Sequence, residues 1–388
     1  FNMIEIYLDN SATTKPFDEV IEIMLNYYKY DYGNPSSLHK MGINAEKGIK
    51  YGRREIANFL KVDESEVLFT SGGTEGNNIA IMGVLNRNRK KGKHIITTKI
   101  EHPSVLNVFK YLEGCGYEVT YLKVDNSGKI SIEELKSSLR QDTVLVSVMM
   151  VNNEVGTIQP IQDISSIVKK YNNCFFHVDG VQAFGKINCY PKQFGIDLFT
   201  ISGHKIHGPK GIGALFVNKD IFIDPIVFGG GQEGGIRSGT ENVPAIVGLG
   251  KAVEVLKKNF YDNFKTLNIL RNKTIKKILD NIDNVQINGP DNINEVAPHI
   301  LSVSFDNIKG EVLLHSLEQD NIYVSTGSAC SSKRNGQSHV LKGMGLPISM
   351  IDGTIRISFS LFNTEEEIDY FVLSLKRHVN FLRKLIRR

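Results

Sequence analysis

With 388 residues, 41% of them hydrophobic and 23% charged, the chain is long for one domain and suits two, with ample material for a core. A net charge of +4 is too mild to argue for nucleic acid, and no apolar run reaches membrane-spanning length. Its four scattered cysteines, Cys115, Cys174, Cys189 and Cys330, have no CxxC spacing and no disulfide pattern, so a reducing cytoplasm without a secretory leader is expected.

Short apolar runs predict strands at 66–70, 94–98, 118–122, 143–149, 174–178, 198–201 and 213–217. Between and before them, amphipathic stretches predict helices at 17–28, 44–59, 75–88, 103–114, 132–138 and 161–171. That alternation argues for an α/β fold with a mainly parallel seven-stranded sheet covered on both faces. After Pro244 the pattern changes. Long helices are predicted at 245–259 and 263–280, strands at 285–287, 299–305 and 354–358, and helices at 311–319 and 364–382. This is a smaller α+β unit, ending in a basic amphipathic helix whose charge is expected to be a solvated face. The expected division is a large domain over 14–257 and a small one over 3–13 and 258–388.

One lysine stands out. The apolar run 196–201 ends in Ser202-Gly203-His204-Lys205, and a Gly/Pro-rich turn follows at once. A lysine there is costly as a core residue and wasted as a solubilising one. It makes sense if its amine bonds covalently to something in the cleft, and pyridoxal phosphate held as a Schiff base is the obvious candidate. Partners for that coenzyme lie upstream. Asp179 closes a buried-strand pattern and supplies the carboxylate a pyridinium nitrogen needs. Gln182 follows within one turn, placed to bond the ring's phenolic oxygen. Ser71-Gly72-Gly73-Thr74-Glu75-Gly76 reads as a Gly-rich turn entering a helix, a cradle of N–H groups for phosphate, with Gly73 and Thr74 at its centre. Ser202 and His204 add donors, and His102 in Glu101-His102-Pro103 offers a flat face for the ring. Taken singly, each is commonplace: a surface lysine, a strand-end aspartate, a capped helix start. Their order and chemical type together are much harder to reach by chance.

The chain resembles the fold-type I, class V aminotransferase-like pyridoxal enzymes, and within them the cysteine desulfurases of the NifS/IscS group. The likeness runs nearly end to end, through Tyr7-Leu8-Asp9-Asn10-Ser11-Ala12-Thr13-Thr14, Gly33-Asn34-Pro35, the Gly-rich turn, Glu101-His102, Asn152-Asn153-Glu154-Val155-Gly156, Val178-Asp179, the Lys205 turn, Arg237-Ser238-Gly239-Thr240, Gly327-Ser328-Ala329-Cys330 and Arg356-Ile357-Ser358. The resemblance implies that the first dozen residues fold back onto the small domain. It implies that Arg356 clamps a substrate carboxylate, with Asn152 assisting at the ring oxygen and carboxylate and Asn34 near the same group. It further implies that Thr240 reaches the coenzyme phosphate of a neighbouring subunit, so that the enzyme is a homodimer with a shared site.

The segment 326–337 decides between reactions. It is small, polar and Gly-bearing, which predicts an exposed mobile loop, and it sets Cys330 near Lys333 and Arg334, cations that favour the thiolate. By resemblance, Lys205 removes the Cα proton of L-cysteine with His102 at the ring, and Cys330 takes the sulfur as a persulfide, leaving alanine. An iron–sulfur scaffold or a tRNA-thiolation protein is the implied acceptor, with no direct binding of nucleic acid or membrane. A selenocysteine lyase or aminotransferase of the same class is the alternative, and a non-catalytic sulfur carrier a more distant one. Three other signals lack their context. Gly229-x-Gly231-x-x-Gly234 lacks a βαβ context, His204-x-x-His207 lacks a third metal ligand, and no G-x-S-x-G elbow exists. No metal is expected. His207 has no role on sequence grounds.

Overall fold

The computed structural model describes residues 5–327 and 337–386. Seven strands form one sheet in the order Val67–Thr70, Gly213–Val217, Leu198–Ser202, Phe175–Asp179, Thr143–Met149, His94–Thr98 and Glu118–Leu122. Six of the predicted strands recur within a residue at each end, and the seventh, 174–178, moves by one to Phe175–Asp179. The sheet is parallel except for Gly213–Val217, which runs antiparallel to both neighbours. Most of these strands are buried along their whole length, which is why they read as continuous apolar runs rather than alternating ones. Glu118–Leu122 stands at the edge and carries the half-exposed pattern instead.

Helices cover the sheet. Pro103–Gly114 and Ile132–Ser138 match the predicted bounds, the first with proline at its opening turn and the second with Ser131 as a side-chain cap. Asp18–Lys29 and Lys40–Leu60 both pack on Val243–Lys258. The predicted helix 161–171 stops at Val168, where Lys169, Lys170 and Tyr171 close turns instead.

The rest of the chain builds a second core. Thr354–Ser358, Ile300–Phe305 and Val285–Asn288 form an antiparallel sheet, backed by Phe260–Asn281, Gly310–Glu318 and Glu365–Ile386. Phe305, Phe359 and Phe371 are fully buried there, and truncating one to alanine would cost about 3–5 kcal/mol. Four short elements were not foreseen. Ile6–Tyr7 pairs in parallel with Ile322–Tyr323, which brings the N-terminal segment onto this second unit. His339–Gly343 and Ile348–Asp352 are five-residue helices, too short to show a period.

The carboxyl ends of Phe175–Asp179 and Leu198–Ser202 lie side by side, with Asp179 paired to Thr200. Open α/β sheets bind ligands at such strand ends.

Candidate active site

Above those strand ends lies a cavity of about 320 Å³. Its lining includes Gly73, Thr74, His102, Asp179, Gln182, Ser202, His204, Lys205 and Arg356, nine of the predicted site residues. A second cleft of about 390 Å³, lined by Ile158, Phe194, Phe264 and Val296 among others, has Asp163 as its one ionisable side chain and offers little chemistry.

The lysine arrives on a single 3-10 turn, Gly203–Lys205, directly after the strand Leu198–Ser202. Its Nζ donates to the main-chain oxygens of Ser11 (2.6 Å) and Ala12 (2.7 Å). Those carbonyls are placed by the far sheet. Ser11 N–H donates to Ser358 Oγ, and Asn10 Nδ2 donates to Ser358 O. His204 accepts or donates at Thr13 Oγ1 through Nδ1, and burial together with the Lys205 charge holds its pKa down at about 4.

Asp179 is buried and doubly held. Val181 N–H donates to its Oδ1 (3.0 Å) and Asn77 Nδ2 to its Oδ2 (2.8 Å). Gly180 allows the bend after the strand, because a Cβ there would meet the Phe199 ring at 2.0 Å. Asn77 also donates to Ser104 Oγ (2.9 Å), and Ser104 O–H and N–H both lie on His102 Nδ1 (2.7 and 3.1 Å). Since Nδ1 accepts from a main-chain N–H, the His102 proton sits on Nε2. Burial, helped by the Lys205 charge, keeps this imidazole below its usual range. His102 is also the cap of Pro103–Gly114, so the helix start fixes its ring.

The Gly-rich turn enters the helix Gly73–Arg87 through Gly72, whose φ of +152° suits glycine. No side chain caps that helix, so its first N–H groups stay available beside Gly73 and Thr74.

Arg356 enters from the opposite wall. It is 2% exposed, with Nη2 on Asp9 Oδ1 (2.9 Å) and Nη1 on the carbonyls of Asn153 (2.9 Å) and Gly327 (3.1 Å). Its Nε is buried without a partner among the described residues, a donor left for an incoming anion.

Two sequence assignments are corrected. Asn152 does not line the cavity. Its Oδ1 accepts from the N–H groups of Glu154 and Val155, and its Nδ2 donates to Ile100 O, so the amide is consumed in shaping the loop. Its neighbour Asn153 lines the cavity instead, a one-residue difference that a turn decides and an Asn-Asn pair cannot reveal. Asn34 is exposed, its Oδ1 accepting from Ser36 N–H, and it is no part of the cavity wall. Thr240 is likewise exposed and absent from this chain's cavity, although its segment is tied to the helix start through Arg237 and Glu75 (3.2 Å). Cys330 lies outside the described residues.

Sequence reading missed Asn77, Glu154 and His339. Asn77 follows the Gly-rich turn directly, inside the helix Gly73–Arg87, and only the fold brings its amide to Asp179. Glu154 lines the cavity and accepts from Ser338, while His339 donates from Nε2 to Glu101 O (2.9 Å). Burial pushes the Glu154 carboxyl up and the fully buried Glu101 carboxyl to about 8.

The donor set fits a flat, anionic aldehyde coenzyme. It offers one amine at a strand end, a carboxylate, an imidazole face and an uncapped helix start around one cavity.

A family model, aminotransferase class-V, matches residues 6–371. The chain is 45% identical to the cysteine desulfurase IscS of Methanosarcina thermophila over 380 residues, 98% of this chain and 93% of that protein. A solved NifS-like protein superposes with a TM-score of 0.91 at 41% identity, covering 97% of this chain and 100% of its own. A structure described as SspA in complex with cysteine superposes at 0.81 with 34% identity, covering 92% and 100%.

Proposed function

The chain belongs to the aminotransferase class-V family, and we propose that it works there as a pyridoxal-phosphate-dependent cysteine desulfurase. The observation that carries this reading is the convergence of Lys205, Asp179 and Arg356 on one cavity from two separate sheets. Relatives named cysteine desulfurase over nearly the full length, and a structural neighbour described with cysteine, support L-cysteine as the substrate.

In this reading Lys205 Nζ would hold the coenzyme, with Asp179 for the ring nitrogen, His102 for the ring face and Gln182 for the phenolic oxygen. Gly73, Thr74, Ser202 and His204 would hold the phosphate. When bound, the coenzyme supplies an electron sink for the carbon that loses its proton. Arg356 binds the substrate carboxylate, using its spare Nε–H and keeping its plane through Asp9. Asn153, rather than Asn152, stands beside that group. Lys205 Nζ is placed to take the Cα proton. The Cys330 thiolate would attack the substrate sulfur: the S–S bond of a persulfide forms as the Cβ–S bond breaks, the electron pair of that bond stays with the substrate carbons, and Cβ takes a proton to become the methyl group of alanine.

The same reading makes the enzyme a homodimer with Thr240 serving the partner's site. Its support is that Thr240 is exposed and outside this chain's cavity, while Leu25, Tyr28, Tyr30, Tyr32 and Leu38, clustered in another part of the sequence, are exposed large side chains. The division at about 257 into a large domain and a small one belongs to it as well, supported by a buried cluster around Leu301, Phe305 and Phe371 that stands apart from the two clusters of the seven-stranded sheet. A cytoplasmic location and a sulfur acceptor from iron–sulfur assembly or tRNA thiolation complete the proposal. No helix of the described residues is long and apolar enough to cross a membrane.

Borohydride reduction followed by peptide mapping tests the coenzyme assignment. The expected result is a pyridoxyl group on Lys205 alone. An unmodified Lys205 in a yellow preparation would overturn it.

A further inference from the structure

Gln182 has an unexpected supporter. His299 stands just before the strand Ile300–Phe305 of the other sheet and is 1% exposed. Its Nε2 lies 3.1 Å from Gln182 Oε1, while Gln182 Nε2 donates to Ser11 O at 3.1 Å. Ser11 O is a carbonyl and can only accept, which fixes the direction of the amide. The imidazole nitrogen facing an amide oxygen must then be a donor, so His299 is the Nε2–H tautomer. Its Nδ1 is left as a bare lone pair, buried and without a partner among the described residues. A position filled only for packing has no reason to keep that orphan, since an apolar residue of similar size would bury without it.

We infer that His299 is a positioning residue for the coenzyme site: its Nε2–H locks the Gln182 amide so that the second amide N–H is presented to the cavity. Without the lock, only the Ser11 contact holds the amide, and its second N–H is no longer aimed steadily at the phenolic oxygen. The inference rests on the coenzyme reading above. The lock is constant with pH. Burial, the charges of Lys186, Arg356 and Lys205 all hold the imidazole well below its usual range, so it stays neutral. Lys186, fully buried on the same turn as Gln182, has its own pKa drawn down to about 8. It also depresses His207, whose Nδ1–H is spent on Lys15 O (2.8 Å) and whose role is to hold the segment Thr14–Phe17.

Two measurements test it. Nitrogen-15 NMR of the coenzyme-free protein is expected to show His299 as the Nε2–H tautomer, and an Nδ1–H tautomer would overturn the inference. In the holoenzyme, the pH midpoint of the coenzyme's visible absorbance change is followed in wild type, His299→Leu and His299→Gln. Loss of the lock removes a donor from the phenolic oxygen, so His299→Leu is expected to raise the midpoint by roughly one pH unit, with His299→Gln recovering most of it. A wild-type midpoint in His299→Leu would overturn the inference. Should that variant not fold, a wild-type-like midpoint in His299→Gln supports it and a midpoint raised by about a pH unit in His299→Gln counts against it. A colourless wild type would sink the coenzyme reading instead, and the tautomer would still decide the hydrogen bond.

Discussion

The two walls of the cavity are built differently. The lysine wall is assembled from strand ends and the turns that follow them. Asp179, Gln182, Ser202, His204 and Lys205 lie within one stretch of the chain, and their placement follows from two adjacent parallel strands. The arginine wall is assembled across the molecule. Arg356 is held by Asp9, Asn153 and Gly327, and Lys205 itself rests on Ser11 and Ala12, contacts that join residues nearly two hundred positions apart or more in several cases. The difference teaches that the coenzyme-facing side chains come from the strand ends of one sheet, even though Lys205 and Gln182 also rest on Ser11. Substrate recognition instead depends on two sheets being docked.

That contrast can be broken in several ways. Replacing Lys205 with alanine should lower activity on the order of a thousandfold or more and abolish reductive trapping, with the fold intact by circular dichroism. Trapping that survives in the variant would remove the lysine wall from the account. Arg356→Lys should raise the KM for L-cysteine by roughly a hundredfold, since a bidentate planar contact becomes a point charge, while the coenzyme's spectrum stays as it was. A spectrum that changes as much as KM would show that the walls are not separable. Asn77→Ala removes one of two donors to Asp179 and should weaken coenzyme retention about tenfold in dialysis, with little change in KM.

The smallest effect concerns pH. Burial raises the Glu101 carboxyl from an ordinary 4.5 to about 8. A raised acid stabilises the fold through its neutral form, fully below pH 4.5, and that contribution is lost as pH climbs through 8. Glu101→Gln should therefore flatten the decline in Tm between pH 5 and 8. His177 works in the other sense. Burial between Ser147 and Thr200 holds it at about 3, so its contribution is complete above 6.5 and is lost as pH falls toward 3. An unchanged Tm profile in Glu101→Gln would show that the carboxyl is not neutral in the fold.

Legibility in the sequence followed the same division. Buried parallel strands announce themselves as apolar runs, so the seven-stranded sheet and the turns that close it were readable, and with them Asp179 and Lys205. Gly73 and Thr74 were readable because a Gly-rich turn entering a helix stands in order with the Asp179 and Lys205 motifs, though alone it is commonplace. Asn152 is the amide the resemblance implies, but residue type cannot tell which of two adjacent amides a loop will spend on its own backbone. Asn34 was carried by motif alone, and its amide folds back on Ser36. Asn77, Glu154, His299 and His339 were invisible because each acts through a partner far away in the chain. The two-residue strands Ile6–Tyr7 and Ile322–Tyr323 were missed for the same reason, since each exists only through the other.

The desulfurase reading is tested most directly at residue 330. The coenzyme-loaded protein is incubated with L-cysteine without reductant, alanine is quantified, and the cysteine-bearing peptides are weighed. The account expects one added sulfur on Cys330, in step with the alanine formed, and neither product in Cys330→Ala. Alanine released at the wild-type rate by Cys330→Ala, with no sulfur on the wild-type Cys330 peptide, would contradict it.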